Sequence, residues 1–297
     1  MPELPEVEVV RAGLAPAVTG GTVTGVTVQD ERALTRHLGD GSHFDATLTG
    51  RRFVGAARRG KFLWLPIEGV DQALLVHLGM SGQMLLRAPG AAGERHERIR
   101  LDIFHPLHGE LAIVFADQRT FGSLAIDTLV PTADGAAGGW GTDAPTVPQQ
   151  VAHIARDPLD PAFDGSAFSA RVRRKVSAIK RVLLDQTVAS GIGNIYADEA
   201  LWAARIHPET PAASLTPRAV IRLLLEVRAV LEKALAEGGT SFDAQYVNVN
   251  GQAGYFAHSL TAYGRQGKPC PRCGTPIVRE NFMNRGSHFC PRCQRQV

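Results

Sequence analysis

The chain has 297 residues, enough for two domains or one large one. With 44% hydrophobic and 21% charged residues it can bury a core, and no uninterrupted apolar run approaches the length of a bilayer span. The net charge is +3, and an N-terminus acidic at Glu3, Glu6 and Glu8 lacks the basic-then-apolar order of a signal peptide, so a cytoplasmic protein is expected.

Residues 4–18 read as a helix, with Pro5 in its first turn and Val7, Val10 and Leu14 on one face. Short β-like runs follow at 22–28, 61–67, 73–80, 98–104 and 110–116, punctuated by Gly, Asp and Pro. That spacing predicts a β-sandwich or barrel-like domain. Residues 131–150, "PTADGAAGGWGTDAPTVPQQ", are rich in Gly, Ala, Pro and Thr, and read as a linker or inserted loop. Three helices are then expected: one in "VRRKVSAIKRVLLDQ", one in "NIYADEALWAARI", and one in "TPRAVIRLLLEVRAVLEKALAEGG" with a Thr cap, a Pro and a terminal Gly pair. A polar, Gly-containing stretch at 240–258 precedes a cysteine-bearing tail, and there is no convincing internal repeat.

The positive charge is clustered. Residues 258–297 hold seven basic residues against one acid, Glu280. "RRFVGAARRGK" (51–61) holds five basic residues and "RVRRKVSAIKR" (171–181) six, with no acid in either. Such clustering on a weakly charged body suggests a phosphate-rich partner, the plainer alternative being solvated basic faces.

All four cysteines lie in the tail, as C-P-R-C at 270–273 and again at 290–293, with 16 residues between the pairs. Two such knuckles close a tetrahedron around Zn²⁺ through Cys270, Cys273, Cys290 and Cys293. Four thiolates leave no open position for water, so the metal is expected to be structural. Two disulfides are the competing reading, disfavoured by the paired spacing and the expected compartment. The intervening "PIVRENFMNRGSHF" suits a β-hairpin with Arg285 projecting from its tip.

"VASGIGNIYADEAL" places Gly191 and Gly193 before a helix opening at Asn194. Glycines permit an unusual backbone there, and a helix N-terminus offers amide N–H groups to a phosphate. The G-x-G pattern by itself is weak, and standing alone it reads better as an ordinary helix–helix turn with an Asn cap.

The start of the chain, "MPELPEVEVV", carries the most specific chemistry. Initiator Met is normally removed before a small residue, which leaves Pro2 with a free secondary amine. An α-amino group has a pKa of about 8, so a useful fraction is neutral and nucleophilic near pH 7. Attack on a sugar C1′ gives a cationic iminium, an electron sink that acidifies the C2′ proton and favours β-elimination. Glu3 stands next to it as an acid/base. Helix capping and dipole effects account for Glu3, Pro5 and Glu6 but give no reason for Pro2.

Taken together, "PELPEVE", "GKFLWL" (60–65), "HLGMSG" (77–82), "GIGNIYADE" (191–199) and the finger containing "NRGSHFCPRC" resemble the formamidopyrimidine-DNA glycosylase (Fpg/Nei) family over essentially the whole chain. The start looks like the purine-type branch. The resemblance implies an α+β multidomain fold: an N-terminal helix with a catalytic β-sandwich domain (1–133), a linker or inserted loop (134–150), a helix–two-turn–helix DNA-binding domain with a base-capping loop (151–258) and a zinc finger (259–297). It implies a bifunctional enzyme that excises 8-oxoguanine and formamidopyrimidines from duplex DNA and cuts the abasic strand by β,δ-elimination. Pro2 then matches the Schiff-base nucleophile and Glu3 the proton donor, with Glu6 supporting them. Lys61 matches the β-elimination proton donor and phosphate contact, and Arg285 the δ-elimination proton donor and phosphate contact. Asn194 matches a phosphate-binding asparagine, and His77 and Lys180 are grouped with the DNA contacts. Met80, Arg119 and Phe121 match the residues that fill the gap left by a flipped nucleotide, although apart from the family Met80 and Phe121 read as core residues. Within the capping loop, Phe242-Asp243-Ala244-Gln245-Tyr246 stands where many members carry an Arg-Asp pair. The implied cofactor is one structural Zn²⁺; the implied partner is damaged or abasic duplex DNA, with the protein a monomer off the membrane and associated with a bacterial nucleoid. A non-catalytic damage-binding protein on the same scaffold, an endonuclease VIII-like pyrimidine glycosylase and an unrelated zinc-ribbon adaptor are the alternatives.

Overall fold

The sequence opens with a helix because a carboxylate and a proline precede an apolar stripe. In the computed structural model, which describes residues 2–240, 249–250, 252 and 254–296, α1 spans Leu4–Val18 with Pro5 in its first turn. Val7, Val10 and Leu14 are buried as the periodicity predicts. Each such side chain contributes about 1.5–3 kcal/mol on leaving water.

Two units divide the chain: Met1–His153 with Thr240–Gly254, and Ile154–Gly239 with Tyr255–Val297. In the first, α1 is followed by β1 (Thr22–Val28), α2 (Gly41–Leu48), β2 (Ala57–Arg59), β3 (Phe62–Pro66), β4 (Gln72–His77), β5 (Gly82–Arg87), β6 (Glu97–His105), β7 (Gly109–Asp117), β8 (Ser123–Pro131) and β9 (Thr146–Pro148). They form two antiparallel sheets, ordered β1-β6-β7-β5 and β2-β3-β4-β8-β9. Along β6, Ile99, Leu101 and Ile103 point inward, the half-buried alternation legible in "RIRLDIF". They share one core with Val10 and Leu14 of α1 and with Leu63, Leu74 and Val76 of the other sheet. This is the expected sandwich. The stretch read as a linker or inserted loop belongs to the same unit and supplies β9.

The second unit contains α3 (Gly165–Arg174), α4 (Ile179–Leu184), α5 (Asn194–Ala204), α6 (Pro217–Ala236) and the hairpin β10 (Val278–Phe282)–β11 (Arg285–Phe289). The Thr216 hydroxyl accepts the Ala219 N–H at 3.2 Å, the expected N-cap of α6. The single helix expected across "VRRKVSAIKRVLLDQ" is instead two. Lys175 is extended (φ −89°, ψ 125°), and the N–H groups of Ile179 and Lys180 donate to the Thr210 and Pro208 carbonyls. A neighbouring backbone thus takes the hydrogen bonds a continuous helix would need.

Candidate active site and nucleic-acid interface

Pro2 and Glu3 are buried at the head of α1. Glu3 and Glu6 form a capping box in which the Glu3 N–H donates to Glu6 Oε2 at 2.8 Å. The other Glu6 oxygen, Oε1, accepts the Thr240 N–H at 2.8 Å. One buried carboxylate therefore fixes the terminus and the first residue of the stretch that carries the expected base-capping loop. Val249, on the far side of that stretch, lies in the core against Gly13 of α1 and accepts the Leu86 N–H at 2.9 Å. Phe242 to Tyr246 lie outside the described residues.

Lys61 sits in the two-residue turn between β2 and β3, after Gly60 at φ +56°. A left-handed first position without a side chain suits a tight hairpin. The basic run leading into this turn is divided: Arg51 and Arg52 are exposed, but the two arginines next to the turn are not. Arg58 is 1% exposed and Arg59 6%. Arg58 Nε donates to Glu8 Oε2 at 2.7 Å, and Arg59 Nε to the Gly138 carbonyl at 2.8 Å. Burial opposes the charge on Glu8, but the hydrogen bonds and charges of Arg11 and Arg58 outweigh it and hold the carboxyl below its usual range. The helix bearing Pro2 and Glu3 is thus tied to the hairpin bearing Lys61.

His77 lies opposite Phe62 in the β3–β4 register, with ring centroids 4.6 Å apart. Burial, then the charges of Arg36 and Lys61, push its pKa down to about 4. Its Nδ1 accepts the Gly79 N–H at 3.3 Å, which also requires a neutral ring at that nitrogen.

Met80 and Phe121 are 41% and 57% exposed, so neither is a core residue. The Arg119 guanidinium stands 5.1 Å from the centre of the Phe121 ring. Gly79, at φ +61°, packs against the backbone of Phe121 and Gly122 so closely that a β-carbon would collide with it. The two loops therefore lie side by side, and Asp117 joins them. This carboxylate, 1% exposed, accepts Ser81 Oγ at 2.6 Å, the Arg119 N–H at 3.1 Å and the Gly122 N–H at 2.8 Å. Sequence reasoning passed over Asp117. Its signal was an Asp ending a strand five residues before a Gly.

In the second unit Gly193 is the N-cap and Asn194 the first residue of α5, so Asn194 is not the cap. Its Nδ2 donates to the Gly286 carbonyl at 3.0 Å, beside exposed Arg285. Arg285 begins β11 directly after the Met283–Asn284 turn, close to the tip where the sequence placed it.

Lys180 departs from expectation. It is fully buried, with Nζ 2.6 Å from Asp198 Oδ1 and 3.2 Å from the Gly286 carbonyl. A side chain so enclosed has no path to a phosphate, and its charge is matched internally. Asp198, 1% exposed, also accepts the His288 N–H at 2.8 Å and Ser287 Oγ at 3.2 Å. Glu199 accepts the N–H groups of Ala262 and Tyr263, both at 2.8 Å. The Asp-Glu pair closing "GIGNIYADE" thus fastens the hairpin and the segment leading to it onto α5. Sequence reasoning assigned neither residue a role.

The four cysteine sulfurs lie within 4.8 Å of one another, with Cys273 and Cys290 at 3.5 Å. A zinc tetrathiolate has Zn–S of about 2.3 Å, hence sulfur–sulfur edges of about 3.8 Å. The donor set and its spacing fit zinc. Buried Gln294 accepts the Cys290 N–H at 2.8 Å and donates to the Ile206 carbonyl at 2.9 Å, while Arg272 stacks on Trp202 at 3.9 Å. Both contacts moor the knuckles to the end of α5.

An N-terminal helix on a two-sheet sandwich, a helical unit with a glycine turn, and a four-cysteine hairpin together define a zinc-finger, DNA-handling class of protein. Comparisons with known proteins narrow this. Residues 1–124 match the formamidopyrimidine-DNA glycosylase N-terminal domain, 154–245 its H2TH domain, and 267–296 the zinc finger found in FPG and IleRS. The chain is 65% identical over 296 residues to the formamidopyrimidine-DNA glycosylase of Leifsonia xyli, covering 99% of this chain and 100% of that one. It is 56% identical to that of Nocardia farcinica, covering 99% and 98%. A Lactococcus lactis FPG mutant in complex with Fapy-dG-containing DNA matches with TM-score 0.83 at 30% identity, covering 99% and 100%. The Lactococcus lactis Fpg with abasic-site DNA matches with TM-score 0.82, 30% identity and the same coverage. The chain belongs to the formamidopyrimidine-DNA glycosylase family, and its four cysteines are the ligands of one structural zinc.

Proposed function

We propose that the protein excises oxidised purines, 8-oxoguanine and formamidopyrimidines, from duplex DNA and then cleaves the abasic strand through a Schiff base on Pro2. Family membership makes it a base-excision-repair DNA glycosylase and abasic-site lyase acting on damaged DNA. The residue roles below, a monomeric state and association with the nucleoid are our reading.

With Met1 removed, the Pro2 amine attacks C1′. An α-amino group, with an ordinary pKa of about 8, keeps a neutral, nucleophilic fraction near pH 7. Glu3 supplies a proton as the ring opens and the base leaves. The new C1′–N bond is an iminium, a cationic electron sink. Glu3, now a carboxylate, takes the C2′ proton while the C–H electron pair flows into the iminium, and the resulting enamine expels the 3′-phosphate. A second elimination expels the 5′-phosphate, and water then frees Pro2. Lys61 and Arg285 hold the phosphates and donate protons to the leaving oxygens. Met80, Phe121 and Arg119 occupy the space of the extruded nucleotide, and Arg119 donates to the partner base. Asn194 and His77 add DNA contacts. Lys180 holds the hairpin rather than the DNA.

The observation that most supports this reading is the double anchorage of Glu6, which immobilises a chain terminus that would ordinarily fray. Borohydride trapping on an abasic-site duplex tests it: wild type should give a covalent adduct and Pro2→Gly none. Absence of an adduct with the wild type would end the amine mechanism. A pyrimidine-directed activity is worth measuring beside it, because a similar structure holds the Lactococcus lactis Fpg with DNA containing an oxidised pyrimidine.

A further inference from the structure

The glycine-rich stretch after β8 makes contacts that its composition does not announce. β8 and β9 pair through Leu129↔Pro148, Val130↔Val147 and Pro131↔Thr146, and the Thr132 N–H donates to the Pro145 carbonyl at 2.9 Å. Residues 133–144 are therefore an excursion from the end of a closed hairpin. Its far point reaches β2, at the opposite edge of the same sheet. There Trp140 and Arg58 exchange two backbone hydrogen bonds, each 2.9 Å, as an antiparallel bridge.

Three glycines make this approach sterically feasible. A β-carbon on Gly138 would overlap the Thr146 carbonyl oxygen, one on Gly139 the Arg58 carbonyl oxygen, and one on Gly141 the Ala56 carbonyl oxygen. Gly139 also lies over buried Trp64. A three-residue edge strand gains a backbone partner and loses its open edge.

The gripped residue is the one that links the two halves of the chemistry. The Arg58 backbone is held by Trp140, while its side chain binds Glu8 of α1 and donates from Nη1 to the Gly60 carbonyl at 3.2 Å, directly before Lys61. Arg11 binds the same Glu8 and donates to the Ala56 carbonyl at 3.2 Å. Helix, hairpin and glycine segment form a closed ring of contacts.

We propose that residues 133–144 are a positioning element that fixes Lys61 relative to the Pro2 terminus by clamping Arg58. The assignment rests on the reading of Pro2 and Lys61 given above, and one of its measurements does not. Replacing 133–144 with Asn-Gly leaves the β8–β9 pairing a two-residue turn it can adopt. In this variant the single-turnover rate of strand cleavage should fall by roughly tenfold or more, because small displacements of catalytic groups are costly, while KM rises much less. The Arg58 amide should lose its protection from hydrogen exchange, with the α5 and α6 amides unaffected. Gly139→Ala should shift both readouts in the same direction. A cleavage rate within about twofold of an active wild type would overturn the positioning role. Retained Arg58 protection would overturn the clamp even if the wild type proved inactive, the outcome that would separately sink the Pro2 mechanism.

Discussion

At the scale of single residues, charges that read alike in sequence have opposite fates. Arg58, Arg59 and Lys180 are interior, while Arg285 is exposed. Hydropathy patterning identifies a run as basic, but burial depends on a partner distant in sequence, such as Glu8 for Arg58 or Asp198 for Lys180. Salt dependence separates the two groups. Arg285→Ala should lower the slope of log affinity against log salt by about one, the signature of one lost phosphate contact. Lys180→Met should leave that slope unchanged, yet destabilise the protein by about 3–5 kcal/mol in urea titration by removing the lysine counter-charge of buried Asp198. His77 gives a pH prediction. With its folded pKa near 4 against an unfolded 6.5, the unfolded chain binds the extra proton between those values. Its contribution to stability is therefore complete above pH 6.5 and is lost as pH falls toward 4. A nitrogen-15 titration should find the His77 ring neutral at pH 5.5; an imidazolium there would contradict the burial argument.

At the scale of elements, helix α1, strands β1, β3, β4, β6 and β7, and the four-cysteine hairpin were legible, because each is declared by local periodicity or spacing. What escaped was held by distant partners. The break between α3 and α4 depends on carbonyls of Pro208 and Thr210, and the glycine segment on a strand some 80 residues earlier. Asp117 is the clearest case at the site, since three donors converge on it only after β5, β7 and their loops are built. Asp117→Ala should cost about 1–3 kcal/mol for the buried donors left unpaired. It should loosen the Met80 and Phe121 loops together, so excision opposite cytosine should fall more than cleavage of a pre-formed abasic site. Equal losses in the two assays would mean that the loops do not depend on this carboxylate.

At the scale of the whole molecule, the two units are of different kinds. The first is a sandwich with a large apolar core. In the second, the finger packs a small apolar cluster of Cys270, Ile277 and Cys290 that includes two of the metal ligands, so its folding is coupled to zinc binding. Chelation should accordingly disorder the Arg285 hairpin and weaken DNA binding at fixed salt. It should leave hydrogen-exchange protection of β6 and β7 intact. Unchanged affinity after confirmed zinc loss would refute the hairpin's part in binding.

The Glu6–Thr240 bond spans 234 residues of sequence. During synthesis the chain's first residues emerge long before their partner does. At 5–20 residues per second the interval is roughly 12–50 s. Throughout it, the helix head lacks the tether that completes it. The residue proposed as the nucleophile is thus the second one made, while the contact that completes its helix head waits for Thr240. Truncation anywhere before Thr240 would leave a reactive terminus without its finished surroundings.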